Sequence, residues 1–274
     1  MTGQVHPRIS VSEISAWNWS LEQDISCLKQ RGVGAIGILS RKVLPDLDAS
    51  MAMLKASGLA VSCVASAPAE NALLTMTDSG PSAALRTHRP AIDLAAVLGR
   101  PCYFTSGVTP LRMPTDEAFN ALVEAVQPVI AYAAEKGVRL ALEHSNPSMR
   151  DIGFVNSLRD SIEFTKRTGI GIDLEIQNCW VERELPQMFR ESIADIVLVQ
   201  LSDYLIGEPT RMNRRVLGDG SIPLEWIIGR LFDAGYAGYL EIEILGPAIE
   251  AEGYDSSIAR SIEWLNERLV KWGI

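Results

Sequence analysis

Oxygen-bearing side chains recur where apolar runs of this chain give out. "VRLALEH" reaches Glu143, "IGIDLEI" carries Asp173 and Glu175, "IVLVQLS" carries Gln200, and "GYLEIEIL" carries Glu241 and Glu243. Side chains alternate along a strand, so Asp173 shares a face with Glu175, and Glu241 with Glu243. Several carboxylates turned into one low-dielectric interior repel, and they cannot all stay ionised without a compensating cation. Carboxylate and amide oxygens without thiolate favour one hard or borderline divalent ion, Mg²⁺ or Mn²⁺ before Zn²⁺ or Co²⁺. Any one of these acids, taken alone, is as well explained as a solvated or Arg-paired strand end. Their recurrence at corresponding ends is what points to a metal-assisted site.

The elements that must position them are legible from the pattern. Short β-branched runs ("RISVSEI", "GAIGIL", "LAVSCVAS", "PCYFTS" and the four above) alternate with longer amphipathic segments, the order of βα units around a parallel sheet. Ser20 with Gln23 forms a capping-box signature, and Thr115 precedes a helical pattern that runs through Lys136 to Gly137. Gly32, Gly58, Gly99, Gly169 and Gly235 stand where a helix hands over to the next strand. Eight such units predict an α/β fold, a (β/α)8 TIM barrel forming a single domain over residues 1–274. The competing topology, an open doubly wound sheet, lacks support from a G-x-G-x-x-G after the first strand. The irregular stretch "APAENALLTMTDSGPSAALRTHRP" is expected to be a loop over the barrel mouth. In such barrels the active site lies at the C-terminal ends of the strands, where the acids fall.

A net charge of -9 argues against a nucleic-acid partner, which needs clustered Lys and Arg. Cys27, Cys63, Cys102 and Cys179 show no C-x-x-C spacing and are expected to be buried apolar thiols. The N-terminal residues lack a basic segment followed by an apolar run, and no stretch is apolar for long enough to span a bilayer. These features predict a cytoplasmic protein acting on a small molecule, with no membrane partner.

Three stretches resemble the xylose isomerase-like barrels, a family that includes sugar phosphate isomerases and epimerases, hydroxypyruvate isomerase and inosose dehydratase. "LALEHSNP" resembles the family's "LALEP" strand. "VQLSDYLIG", followed by "RRVLGDGSIPLEWI", resembles its H-x-x-D strand, Arg and G-x-G-x-I/V loop, and "YAGYLEIEIL" resembles its closing strand. The resemblance implies one divalent ion held by Glu143, Glu175, Gln200 and Glu243. Gln200 stands at the family's His, as in hydroxypyruvate isomerases. "NCWVEREL" resembles a helix start found after the family's D-x-x-H, which favours Glu175 and Asn178 at those two positions; Asp173 is the second-choice ligand.

By the same resemblance, Glu143 and Glu243 act as base and acid on the two faces of an enediolate, and Arg214 steadies its charge, with Arg215 the adjacent alternative. Asn178, His144, Trp17 and Lys42 are candidate substrate contacts: Asn178 replaces a substrate-touching His, Trp17 would wall the mouth, and Lys42 would reach a carboxylate or phosphate. Structural roles compete for each, packing for Trp17 and a solvated or snorkelling stem for Lys42 and the arginines. Gly218 and Gly220 are read as a tight turn rather than a phosphate loop. The implied activity is a metal-dependent isomerase or epimerase of a sugar or related polyhydroxy carbonyl compound, and barrels of this group often form homodimers. A dehydratase or lyase on the same scaffold, and a metal-free binding or accessory barrel, are the alternatives. A multi-metal DNA-repair site is disfavoured by only three His in an acidic chain.

Overall fold

The computed structural model describes residues 5–67, 81–108 and 112–273. Eight strands close into one parallel barrel in sequence order: β1 Ile9–Ser12, β2 Ala35–Leu39, β3 Ala60–Ala65, β4 Cys102–Thr105, β5 Leu140–Glu143, β6 Gly171–Glu175, β7 Ile196–Leu201 and β8 Leu240–Ile242. Closure, through the pairing of β8 with β1, excludes the open doubly wound sheet.

Alternation along the strands divides the interior into two layers. Outward residues such as Ile36, Phe104, Leu142, Ile172 and Ile242 pack under the helices in the main core. Inward residues Leu39, Cys63, Ala65, Tyr103, Ala141 and Leu198 form a second, smaller cluster inside the barrel. An irregularity in the β2–β3 register falls at Ser62 and Cys63, and both side chains reach Glu241. A second register shift between β6 and β7 precedes the pairing of Glu175 with Gln200. That register sets two polar side chains from neighbouring strands side by side.

The capping box at Ser20 forms as expected, with Ser20 Oγ accepting from Gln23 N at 3.3 Å and Gln23 Oε1 from Ser20 N at 2.9 Å. The helix expected over 115–136 is two, Thr115–Ala125 and Gln127–Lys136, because Pro128 at the start of the second removes an interior N–H donor. Thr115 is a helical residue and gives no side-chain cap. Of the stretch expected to cover the mouth, residues 68–80 lie outside the described residues, while Pro81–Leu98 is a helix that continues through Pro90. All four cysteines are buried and unpaired. No described helix is long and apolar enough to cross a membrane.

Candidate active site at the barrel mouth

Strand ends deliver the acids. Glu143 closes β5, Asp173 and Glu175 lie on β6, Gln200 on β7, and Glu241 lies on β8, with Glu243 one residue beyond it. Deep in the barrel Glu241 is satisfied: its carboxylate accepts from Ser10 Oγ at 3.0 Å and Ser62 Oγ at 2.5 Å, and Cys63 Sγ lies 3.6 Å away. Gly37 on β2 makes room for it, since a Cβ there would collide with that carboxylate. Glu241 is therefore a structural acid deep to the mouth.

Near the mouth the balance reverses. Arg214, almost fully buried, places Nη1 2.8 Å from Glu175 Oε2, 2.9 Å from Glu243 Oε1 and 2.6 Å from the Glu243 carbonyl oxygen. Gln200 donates Nε2 to Glu243 Oε2 at 2.6 Å and to the Tyr103 hydroxyl at 3.1 Å, leaving its Oε1 buried with no partner. Both oxygens of Asp173 are likewise buried and unpartnered. Glu143 receives no side-chain hydrogen bond from the described residues.

One guanidinium thus serves several acids. Burial, opposed by Arg214 and reinforced by Glu175 and Glu241, raises Glu243 to about 7. Burial and the charges of Glu243 and Glu175 hold Glu143 well above the usual carboxylate range. Burial, and then the charge of Glu143, push Asp173 well above the usual carboxylate range. Burial alone would disfavour the Arg214 charge, but Glu175, Glu243 and Glu143 overcome it and fix the guanidinium as a cation.

The loop that brings Arg214 here is organised by Asp203. Its carboxylate accepts from the N–H groups of Tyr204 (2.8 Å), Gly218 (3.0 Å), Gly220 (3.0 Å) and Ile222 (3.1 Å). Gly218 has φ +90 with the Trp264 indole against its Cα, and a Cβ at Gly220 would meet Asp203 itself. The G-x-G is a turn built around a carboxylate, as its reading as a turn anticipated.

Five expected substrate contacts are placed elsewhere or engaged. Lys42 does not reach the mouth: Nζ donates to the carbonyls of Glu13 (2.9 Å) and Ala16 (3.0 Å) and to Asp24 Oδ2 (2.8 Å). Arg215 pairs with Glu208 and with two backbone carbonyls, so it shapes the loop rather than meeting substrate. His144 is fully buried, both ring nitrogens lack partners, and burial lowers it to about 4, so it is a neutral core residue. Asn178 is also buried and spends its Nδ2 on the His144 carbonyl at 2.7 Å. Trp17 is at the surface, 42% exposed, with the Arg41 guanidinium 3.3 Å from its ring centroid. Sequence reasoning missed Tyr103; its place in "PCYFTS", between outward Cys102 and Phe104, was the available signal.

The donors fit a divalent ion in kind. Glu143, Glu175 and Glu243 supply hard carboxylates, the unpartnered Gln200 Oε1 supplies a free amide oxygen, and one guanidinium leaves the acids under-compensated. Their present arrangement centres on Arg214, and among the described residues no three His, Cys, Asp or Glu stand in a ligating cluster.

A sequence profile described as the xylose isomerase-like TIM barrel matches residues 29–268, and the chain belongs to that family. No curated protein matches it by sequence. Among solved structures it is similar to protein SMc04130 from Sinorhizobium meliloti 1021, with TM-score 0.85 and 23% identity over 96% of this chain and 98% of that one. It is similar to the IolI protein with a binding zinc atom, with TM-score 0.81 and 17% identity over 97% and 99% of the two chains. An L-ribulose 3-epimerase gives TM-score 0.76 and 18% identity over 97% and 95%.

Proposed function

We propose that the chain is an isomerase or epimerase of a sugar or related polyhydroxy carbonyl compound, working through an enediolate with Glu143 and Glu243 as the acid–base pair. The observation that carries this reading is the raised pair of carboxyls from β5 and β8 at one mouth, Glu243 at about 7 and Glu143 well above its usual range. General acid–base catalysis works best with groups whose pKa lies near the working pH, which Glu243 at about 7 meets, while the upward push on Glu143 favours its holding a proton. A carboxylate on one side of the reacting carbon takes its proton; the carboxylic acid on the other side supplies one.

Arg214 supports the same step. Its guanidinium is fixed beside Glu243 as a permanent cation, where developing negative charge on substrate oxygens would find a preorganised donor. Tyr103 and Gln200 hold Glu243 Oε2 from the opposite side and fix its orientation. A divalent ion would be held by Glu143, Glu175, Gln200 and Glu243, with Asp173 the second-choice ligand, and would supply polarisation of the carbonyl and acidification of the adjacent C–H. The fold shared with an L-ribulose 3-epimerase and a zinc-binding IolI protein supports the class.

The test is proton exchange. A panel of ketoses, hydroxypyruvate and inososes is incubated in D₂O with Mn²⁺ and the α-carbon followed by NMR. Deuterium incorporation is expected for at least one member, falling by about 10²–10⁴-fold in Glu143→Gln and in Glu243→Gln. Exchange followed by loss of water would move the reading to a dehydratase, and no exchange with any member would sink it.

A further inference from the structure

The ladder between β1 and β8 stops one rung short of Glu243. Its register pairs Ile9 with Leu240, Ser10 with Glu241 and Val11 with Ile242. In a parallel ladder one residue bonds the C=O and the N–H that flank its partner on the neighbouring strand. After Ser10 against Glu241, the next such rung would set the Ser12 backbone against the Ile242 carbonyl and the Ile244 N–H, on either side of Glu243. Ser12 pairs with Gly37 of β2 instead and caps the turn Glu13–Ala16, its Oγ accepting from Ile14 N at 3.2 Å. Ser15, on that turn, supplies the missing rung with one side-chain atom. Its Oγ donates to the Ile242 carbonyl at 3.1 Å and accepts from Ile244 N at 3.1 Å. Along the other edge, Glu243 N donates to the Leu201 carbonyl of β7 at 2.9 Å. Ser15, Ile242 and Ile244 are all fully buried, so the two peptide groups depend on that hydroxyl for their bonds.

We propose that Ser15 is a positioning residue for Glu243: its hydroxyl sets the backbone from which the Glu243 carboxylate reaches Arg214 and Gln200. The inference rests on Glu243 being an acid–base group of the reading above. The turn that carries Ser15 is itself clamped. Lys42 Nζ donates to the carbonyls of its first and last residues, Glu13 at 2.9 Å and Ala16 at 3.0 Å, and Glu13 Oε2 accepts from Leu39 N at 2.7 Å. Arg214, Gln200 and Tyr103 hold the carboxylate end of Glu243, while Ser15 holds the chain on both sides of its Cα. A group that moves protons works only within hydrogen-bond reach of them, and a misplacement of about 1 Å can cost on the order of 10²-fold in rate. Lys42, expected at the substrate, thus serves the same carboxylate from a distance, by fixing the platform on which Ser15 stands.

Deuterium exchange into the best substrate of the panel, followed over substrate concentration with the full chain, tests this. Ser15→Ala should lower kcat by about 10–100-fold while KM moves less than about threefold, the mark of lost geometry at the reacting carbon and not of lost binding. Ser10→Ala removes two buried hydrogen bonds from β1, to Ser62 and Glu241, and leaves the backbone beside Glu243 alone. It should keep both constants within about threefold of the parent. Equal losses in the two variants, no loss in Ser15→Ala, or a change confined to KM overturns the proposal. Should Ser15→Ala fail to fold, Ser15→Cys, which keeps only a weak donor and acceptor at the same place, is read by the same criteria. No exchange by the parent chain with any member sinks the acid–base reading instead, and the crystal structure of the Ser15 variant then judges the positioning by itself. A Glu243 carboxylate shifted by more than about 0.5 Å relative to Arg214 supports it, and one superposed on the parent's overturns it.

Discussion

Two clusters of buried acids stand in this barrel, each with one buried cation, and they are finished to different degrees. Behind the ends of β1 and β2, Lys42 Nζ meets two backbone carbonyls and Asp24, while Glu13 Oε2 accepts from Leu39 N at 2.7 Å. The cavity beside them, lined by Ser12, Glu13, Asp24 and Cys27 among others, has room for about one water, at ≈ 10 Å³. At the mouth, Arg214 is shared between Glu175 and Glu243, while Asp173 and the Gln200 oxygen go unpartnered. The first arrangement saturates the cation with three oxygens and leaves one buried oxygen, Glu13 Oε1, without a partner. The second leaves buried oxygen atoms unsatisfied, at a cost of order 1–3 kcal/mol per neutral group, which folding alone gives no reason to keep.

Removing either cation is the harshest way to probe the difference. Lys42→Met and Arg214→Met should each lower unfolding free energy by about 3–5 kcal/mol in chemical denaturation, the usual cost of stranding a buried charge. Added Mn²⁺ should restore much of the loss at 214 and none at 42; equal rescue, or none at either, would break the contrast. A smaller effect is expected from pH. Burial and the Asp24 charge raise Glu13 to about 8, and burial raises Asp24 to about 6. Once unfolded, Glu13 loses its proton near 4.5, while the folded chain keeps it up to about 8, so this contribution is fully present below 4.5 and is lost as pH rises through 8. Melting temperature should therefore fall from pH 5 to 8, and Glu13→Gln should make that fall shallower. Smallest of all, Arg41→Ala removes a half-buried cation over Trp17 and should cost no more than about 1 kcal/mol in the same denaturant assay.

The barrel was legible because short apolar runs marked the strands and a glycine marked every helix-to-strand hand-over except the one into β7, both local signals. The strand-end acids were legible for the same reason: period-two alternation places Glu143, Glu175 and Glu243 on inward faces whatever surrounds them. Partners were not legible, because they come from far along the chain. Lys42 turns away from the mouth since Asp24, on the helix Leu21–Gln30, comes within reach of it. Arg214 and Arg215 are neighbours with opposite fates, set by Glu175 and Glu243 on one side and Glu208 on the other. Asp203 carries no local sign of its role, and only its four converging N–H donors reveal it as the post around which that loop is wound.

The bare Cα of Gly37 has a consequence for traffic. By letting Glu241 lie across toward Ser62, it plugs the lower bore with a hydrogen-bonded carboxylate backed by Cys63. A bore filled this way is a floor and not a channel, so a molecule lodged between the acids would have to leave at the same end of the strands by which it entered.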